Sequence, residues 1–453
     1  MDRSDTSLPS DGRPMDLLPK RELFRLSLYW LGLSSIFAGL TFILGSRLEF
    51  DGLVPNKDEA GRTLFLLTIS GAVIAMIVQP TIGTISDYTV SRWGRRKPYI
   101  LIGSLLDVVF LAAIALSQDL VAIAVFVALL QFSSNFAQGP FQGYVPDLVP
   151  APQVGLASAM VGMMQILGNV AGFIIAGIAV ALDQFALGLI ALGVLELLTM
   201  LSVVIRVHEG TAPKSRQGRP WTAIGLEAWG TDILQERSFL WLVASRLAVL
   251  MAGGVLTNLA IFYLSRSLGM TQEEAGLAFI PMVGLVALGT VIAVVPAARA
   301  SDRVGRKKVI YVSCAVGAIG LALVAIAPSF PLALLGTVIF GLSTGIFLAV
   351  DWALMTDIIP KASSGRYMGL SNVATASSGV LAVAIGGTLM DLVGGPAGPR
   401  AALWLAVVLF GVGAVLLRSV DERRREEPIE PRQEPDPAVA PASSPEIRPA
   451  EAT

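Results

Sequence analysis

Apolar residues run through this chain in long blocks separated by short polar turns, without the three- and four-residue rhythm of a helix that faces water on one side. A helix needs roughly 20 apolar residues to cross about 30 Å of hydrocarbon. Twelve blocks reach that length, at about 23–44, 63–84, 98–117, 120–142, 156–180, 185–206, 238–264, 274–298, 308–327, 331–354, 366–391 and 400–418. They predict an all-α polytopic membrane protein with twelve transmembrane helices in two six-helix halves. The halves are a bundle over 23–206 and a bundle over 238–418, joined by a polar linker over 207–237. Residues 1–22 form a polar segment on the cytoplasmic side; Met1 to Pro19 has no apolar core of the signal-peptide kind, so the first span is expected to direct its own insertion. Residues 419–453 are rich in Pro, Glu and Ala and predict a disordered cytoplasmic tail. Trp221–Gln235 of the linker fits a short amphipathic helix on the membrane surface.

Composition agrees with the pattern. The chain of 453 residues is 54% hydrophobic and 15% charged, with a mean hydropathy of +0.69. A soluble domain carries far more charge. The net charge of −1 points to no charged partner such as nucleic acid. One cysteine, Cys314, permits no internal disulfide, and one histidine, His208, has no metal-ligand companions. No nucleotide-binding loop is present, so neither a metal, a cofactor nor an enzymatic activity is expected.

Two landmarks occur once in each half and in the same order. Gly83-Thr84-Ile85-Ser86-Asp87 is followed by Ser91-Arg92-Trp93-Gly94-Arg95-Arg96-Lys97-Pro98, and some 215 residues later Ser301-Asp302-Arg303-Val304-Gly305-Arg306-Lys307-Lys308 repeats the theme. Each is trailed by an Asp-containing, proline-ended turn, Pro146-Asp147-Leu148-Val149-Pro150 and Thr356-Asp357-Ile358-Ile359-Pro360. Such duplication within a membrane bundle is the architecture of a secondary transporter. The turn after span 2 carries four basic residues and the turn after span 8 carries five, whereas the turns after spans 3, 5 and 9 carry none. The positive-inside bias therefore puts both termini, the linker and both basic turns in the cytoplasm of a plasma (inner) membrane protein.

The Gly-x-x-x-Asp turn with its following Gly-Arg-Arg/Lys resembles the signature loop of the major facilitator superfamily. Its longer first copy, Ser86-Asp87 with Ser91 to Pro98, is similar to the loop of sucrose–proton symporters and of glycoside–pentoside–hexuronide cation symporters. The resemblance covers about 23–418 and implies the major facilitator fold, alternating access, and a gating role for Gly83, Asp87, Arg92, Gly94, Arg95, Arg96, Asp147, Asp302, Gly305, Arg306 and Asp357. Asp87, placed near a helix start, would accept backbone N–H groups while the arginines pair with carboxylates. The alternative is that these basic residues only enforce topology. There are departures: Ala298 stands where the first copy has Gly83, and span 2 holds no carboxylate, whereas some cation-coupled glycoside symporters place cation ligands there.

The resemblance also implies a central cavity lined by spans 1, 4, 7 and 10. In span 4, Gln131, Asn135, Gln138 and Gln142 follow steps of four, three and four, hence one helical face, with Ser134 close to it. Such a stripe must face protein or a water-filled cavity. It fits either a polyhydroxylated solute or hydrogen bonds between packed helices. Tyr29 and Trp30 in span 1 fit sugar stacking or an interfacial belt. Arg246 and Asn258 in span 7, Gln165 and Asn169 in span 5, and Asn372 in span 11 complete the solute-contact candidates. Proton carriers are sought among intramembrane acids: Asp351, Asp107 and Glu196, with Asp391 at the outer end of span 11. Gly168-x-x-x-Gly172 marks a close helix crossing in span 5, and Pro281 and Pro296 are expected to bend span 8.

These readings converge on a monomeric transporter that moves a small polar solute, a sugar or glycoside, with a proton. Two rivals stay open: a proton-coupled exporter of drugs or metabolites, and a non-transporting assembly factor or sensor of the same fold.

Overall fold

The computed structural model describes residues 16–54, 56–207, 209, 218, 220–222, 237–358 and 364–420, with the side chains of 146, 151, 155, 352, 356–374 and 376 excepted. The tail, His208 and most of Trp221–Gln235 lie outside the described residues. Backbone amides have no water to bond inside a bilayer, and every long element among the described residues is accordingly a helix. The twelve are α1 (Lys20–Phe50), α2 (Ala60–Asp87), α3 (Lys97–Leu116), α4 (Leu120–Gln142), α5 (Val154–Ala181) and α6 (Phe185–Arg206), then α7 (Arg237–Phe262), α8 (Gln272–Val304), α9 (Arg306–Ile326), α10 (Phe330–Ile358), α11 (Ser364–Val393) and α12 (Ala397–Leu417). Eleven are long and apolar enough to cross a membrane, and α11 contributes the shorter apolar stretch Ser377–Val393.

Helix starts follow local chemistry. Asp119 caps α4 by accepting the Ala122 N–H at 2.8 Å, and Thr271 with Glu274 forms a reciprocal capping box at the start of α8. The two basic turns each need a glycine in left-handed backbone, Gly94 at φ 112° and Gly305 at φ 98°. Pro281 and Pro296 sit inside α8, which runs as one helix from Gln272 to Val304.

Within the first half α1 packs closely on α5 and α6, α2 on α4, and α3 on α4 and α6. Gly168 and Gly172 of α5 lie directly against the backbone of α1 at Leu31 and Ser35. In the second half α10 packs on α8 and α9, and α7 on α11 and α12. Between the halves α2 meets α11, α5 meets α8, and α1 meets α7.

Those contacts are concentrated at the end of the molecule that carries the α1–α2 connection. There Gly61 of α2 lies against Gly387 of α11, and Gly177 of α5 against Gly276 of α8. Phe42 of α1 stacks on Phe279 of α8 at 3.7 Å between ring centroids, and Phe173 of α5 meets the same ring edge-on at 5.2 Å.

Candidate functional site

Polar groups cross the interface at that same end. Arg266, just beyond α7, binds Glu49 of α1 at 2.6 Å and donates to the Lys57 carbonyl at 2.6 Å. Asp391 of α11 accepts the first N–H groups of α2, Gly61 at 3.2 Å and Arg62 at 2.6 Å. Gln272 donates to Asp183 at 2.8 Å. Asp391 thus caps a helix, and its position at the junction explains why a carboxylate is kept at the end of an apolar segment.

Below this junction lies a cavity of about 390 Å³ between α1, α2, α4 and α5 of the first half and α7 and α11 of the second. Its polar wall is the α4 stripe: Gln131, Asn135, Gln138 and Gln142 all line it, joined by Gln79 of α2, Gln165 of α5 and Asn258 of α7. Asn135 spends its amide N–H on the Gln131 carbonyl at 2.7 Å. The side-chain amides of Gln79, Gln131, Gln138, Gln142, Gln165 and Asn258 form no hydrogen bond to another described residue. Six amides with free donors and acceptors are therefore aimed at one space. The opposite wall is apolar, with Phe37, Leu40 and Leu44 of α1 and Val380 and Val383 of α11. Trp30 adds an aromatic plate.

Other expected positions are placed elsewhere. Tyr29 is fully buried behind α1, edge-on to Phe141 and bonded to Ser104 and Glu196, because a span-1 residue one step from Trp30 points about 100° away from it. Ser134 faces away from the amide stripe and donates to Asp107 at 2.8 Å. Asn169 is exposed outside the lining. Arg246 is buried in an ion pair with Asp351 and donates at 3.1 Å to Thr375, which lines the cavity. Of the four spans expected to line the cavity, α1, α4 and α7 do so; α2, α5 and α11 are additions, and no described side chain of α10 takes part. The side chain of Asn372 lies outside the described residues.

Asp107, Glu196 and Asp351 are all buried, at no more than 1% exposure. Asp351 is paired; the other two meet serines and Tyr29 rather than an arginine or lysine.

At the opposite end the first basic turn closes into a charge cluster. Asp87 ends α2 rather than starting a helix, and the unfavourable dipole there is offset by Arg96 at 2.7 Å. Arg96 also holds Asp147 at 2.7 Å and the Pro140 carbonyl at 2.7 Å, and Arg95 forms a second ion pair with Asp147. The two landmarks of the first half are thus one structure. Gly83 lies against Gly139, which lets α2 approach α4. Arg92 is exposed and outside the cluster. In the second copy Asp302 is exposed and Arg306 half-buried, while the Asp357 side chain lies outside the described residues.

The helix-start role falls instead to Glu209, which accepts the N–H groups of Arg96 at 3.0 Å and Lys97 at 2.9 Å and the Tyr144 hydroxyl at 2.7 Å. Burial, and then the adjacent Glu209 charge, push the Tyr144 hydroxyl well above the usual phenol range. Sequence reading missed Glu209 because nothing local marks a linker acid as the cap of a helix more than 100 residues earlier. It missed Glu49 and Arg266 because charges at span ends look like ordinary flanks. Gln79 was detectable, as a lone amide in an apolar run.

The family model of the Major Facilitator Superfamily matches residues 60–262 and 241–449. Among curated proteins, the chain is 31% identical over 173 residues to the sucrose transport protein SUT1 of Oryza sativa subsp. japonica, covering 33% of this chain and 32% of that one. It is 35% identical over 92 residues to the minor myo-inositol transporter IolF of Bacillus subtilis (strain 168), covering 20% and 21%. The match thus spans about a third or less of the length of these relatives. Among solved structures, the nucleoside transporter NupG superposes with a TM-score of 0.61 at 17% identity, covering 88% of this chain and 98% of that one. A bacterial homologue of the human lysosomal transporter Spinster, in an inward-facing and occupied conformation, gives 0.61 at 14% identity, covering 88% and 96%.

Proposed function

The chain belongs to the Major Facilitator Superfamily, and from that premise we propose that it moves a small polyhydroxylated solute, a sugar or glycoside, across the plasma (inner) membrane together with a proton. The observation that carries this reading is the group of six unengaged amides facing one cavity between the two halves. Hydroxyl-rich solutes need donors and acceptors in alternation, which amides supply, and the apolar wall with Trp30 suits the C–H faces of a sugar ring. The partial likeness to a sucrose transport protein and a myo-inositol transporter points to the same solute class.

The lysine and arginine bias of the turns supports cytoplasmic termini. With that orientation the Glu49–Arg266 end is the outer end, closed here, and the cavity belongs to an inward-facing state. Solute exchange then proceeds by rocking the halves about the cavity. Proton coupling draws its support from the buried carboxyls.

The test is uptake of a labelled disaccharide panel into proteoliposomes with and without an inward proton gradient. The expected result is gradient-stimulated accumulation, weakened about tenfold in Gln138→Leu, the equivalent of one lost hydrogen bond of about 1.4 kcal/mol. A folded protein that accumulates no sugar overturns the assignment.

A further inference from the structure

The buried ion pair of the second half is balanced, Arg246 against Asp351. The first half holds two buried carboxyl groups with no such partner. Asp107 of α3 and Glu196 of α6 are both fully buried and lie within direct interaction range of each other. Asp107 accepts from Ser133 and from Ser134 of α4, the latter at 2.8 Å. Glu196 Oε1 accepts from Tyr29 of α1 at 3.0 Å, and that hydroxyl also bonds Ser104 of α3 at 2.5 Å. Glu196 Oε2 is buried with no hydrogen-bond partner.

Among the described residues, the groups that bear on the pair are Ser104 on α3, Ser133 and Ser134 on α4, and Tyr29 on α1; Tyr29 is the one titratable group and none is a cation. Two ionised carboxylates facing each other in such a site are shut off from bulk solvent and have no counter-charge among the described residues to offset their repulsion, a combination that forces a proton into the pair. The orphaned Oε2 is where an acidic hydrogen has its place.

We propose that Asp107 and Glu196 form a proton-binding pair that shares one proton in this state, and that this pair, outside the solute cavity, is the coupling site of the proposed transport. Its connection to the cavity is short. Tyr29, which holds Glu196, precedes the cavity residue Trp30; Ser134, which holds Asp107, precedes the cavity residue Asn135. On the same face of α1, Gly32 lies against the Glu196 backbone and Thr199, so α1 and α6 touch at the pair. Release of the proton leaves two negative charges between α1, α3, α4 and α6, which then have to part or admit water. Loading and unloading therefore move the two helices that carry Trp30 and the amide stripe.

The coupling clause rests on the transport reading, but the proton itself is read separately. Infrared spectroscopy of the full-length protein in liposomes reports protonated carboxyl groups through a C=O stretch that disappears on ionisation. At neutral pH the wild type is expected to show such a band, and Asp107→Asn/Glu196→Gln to lack that component. Absence of the band in the wild type, or an unchanged band in the double variant, overturns the proton pair.

In uptake assays with a sugar of the disaccharide panel that the wild type accumulates, Glu196→Gln is expected to lose the stimulation by an inward proton gradient, with accumulation falling to the level without a gradient. Glu196→Asp, which retains a titratable group, restores a part of it. Undiminished stimulation in Glu196→Gln, or equal loss in both variants, overturns the coupling role. A wild type that carries no sugar of the panel overturns the sugar reading and leaves the infrared result to decide the proton pair alone.

Discussion

Arg92, Arg95 and Arg96 occupy one turn, yet only the latter two reach the charge cluster. Arg96 serves Asp87, Asp147 and the Pro140 carbonyl at once, and Gly143 leaves room for its guanidinium. Arg96→Ala takes one partner from each of two carboxylates that are about one-fifth exposed, and Asp147 keeps Arg95, so its cost falls below that of a fully dry pair, at about 2–3 kcal/mol. Thermal unfolding in detergent checks this. Arg92→Ala is expected to change stability by no more than about 0.5 kcal/mol, and Arg96→Lys to recover only part of the loss, because one ammonium cannot span three acceptors. A larger loss in Arg92→Ala than in Arg96→Ala contradicts the cluster. The motif was legible in the chain, but the division of labour among its arginines was not. Which guanidinium turns inward depends on Gly94 and on Asp147, which approaches from 52 residues away.

At the scale of elements, periodicity carried more. The four-three-four spacing on α4 located one cavity wall, because an amide stripe in an apolar helix has few tolerable directions. The same reasoning misplaced Tyr29, since a single aromatic has no repeat to assign its face. The Gly168-x-x-x-Gly172 spacing announced a close crossing, while its partner, α1, had to come from packing. Gly172→Leu drives a side chain into the Ser35 backbone and is expected to cost at least about 2 kcal/mol. Gly162, on the same helix, has nothing near its missing Cβ, so Gly162→Ala is expected to be neutral or to stabilise by about 0.5–1 kcal/mol. Melting curves of the two variants separate a crossing point from a glycine of no packing consequence; similar curves contradict the assignment.

For the whole molecule, the asymmetry between its two ends matters most. Phe42, Phe173 and Phe279 form an apolar plug at one end, and Glu49–Arg266 is a buried clasp around it. An ion pair of this kind contributes little net stability but is costly to break on one side only. It therefore acts on the balance between two states more than on the fold. Glu49→Gln leaves Arg266 with a weakened partner in the closed arrangement and shifts the population toward opening at this end. The sole cysteine, Cys314, is buried and gives a low labelling background. A cysteine placed at Thr41, half-buried on the cavity wall, reports access. In Thr41→Cys a membrane-impermeant maleimide is expected to react from the cytoplasmic face. In Thr41→Cys/Glu49→Gln, reaction from the outer face is expected to rise severalfold, with cytoplasmic labelling falling in parallel. Equal labelling of the two variants from both faces shows that the clasp does not set the balance. Labelling of Thr41→Cys from the outer face alone inverts the orientation drawn from the lysine and arginine bias, and with it the identity of the closed end.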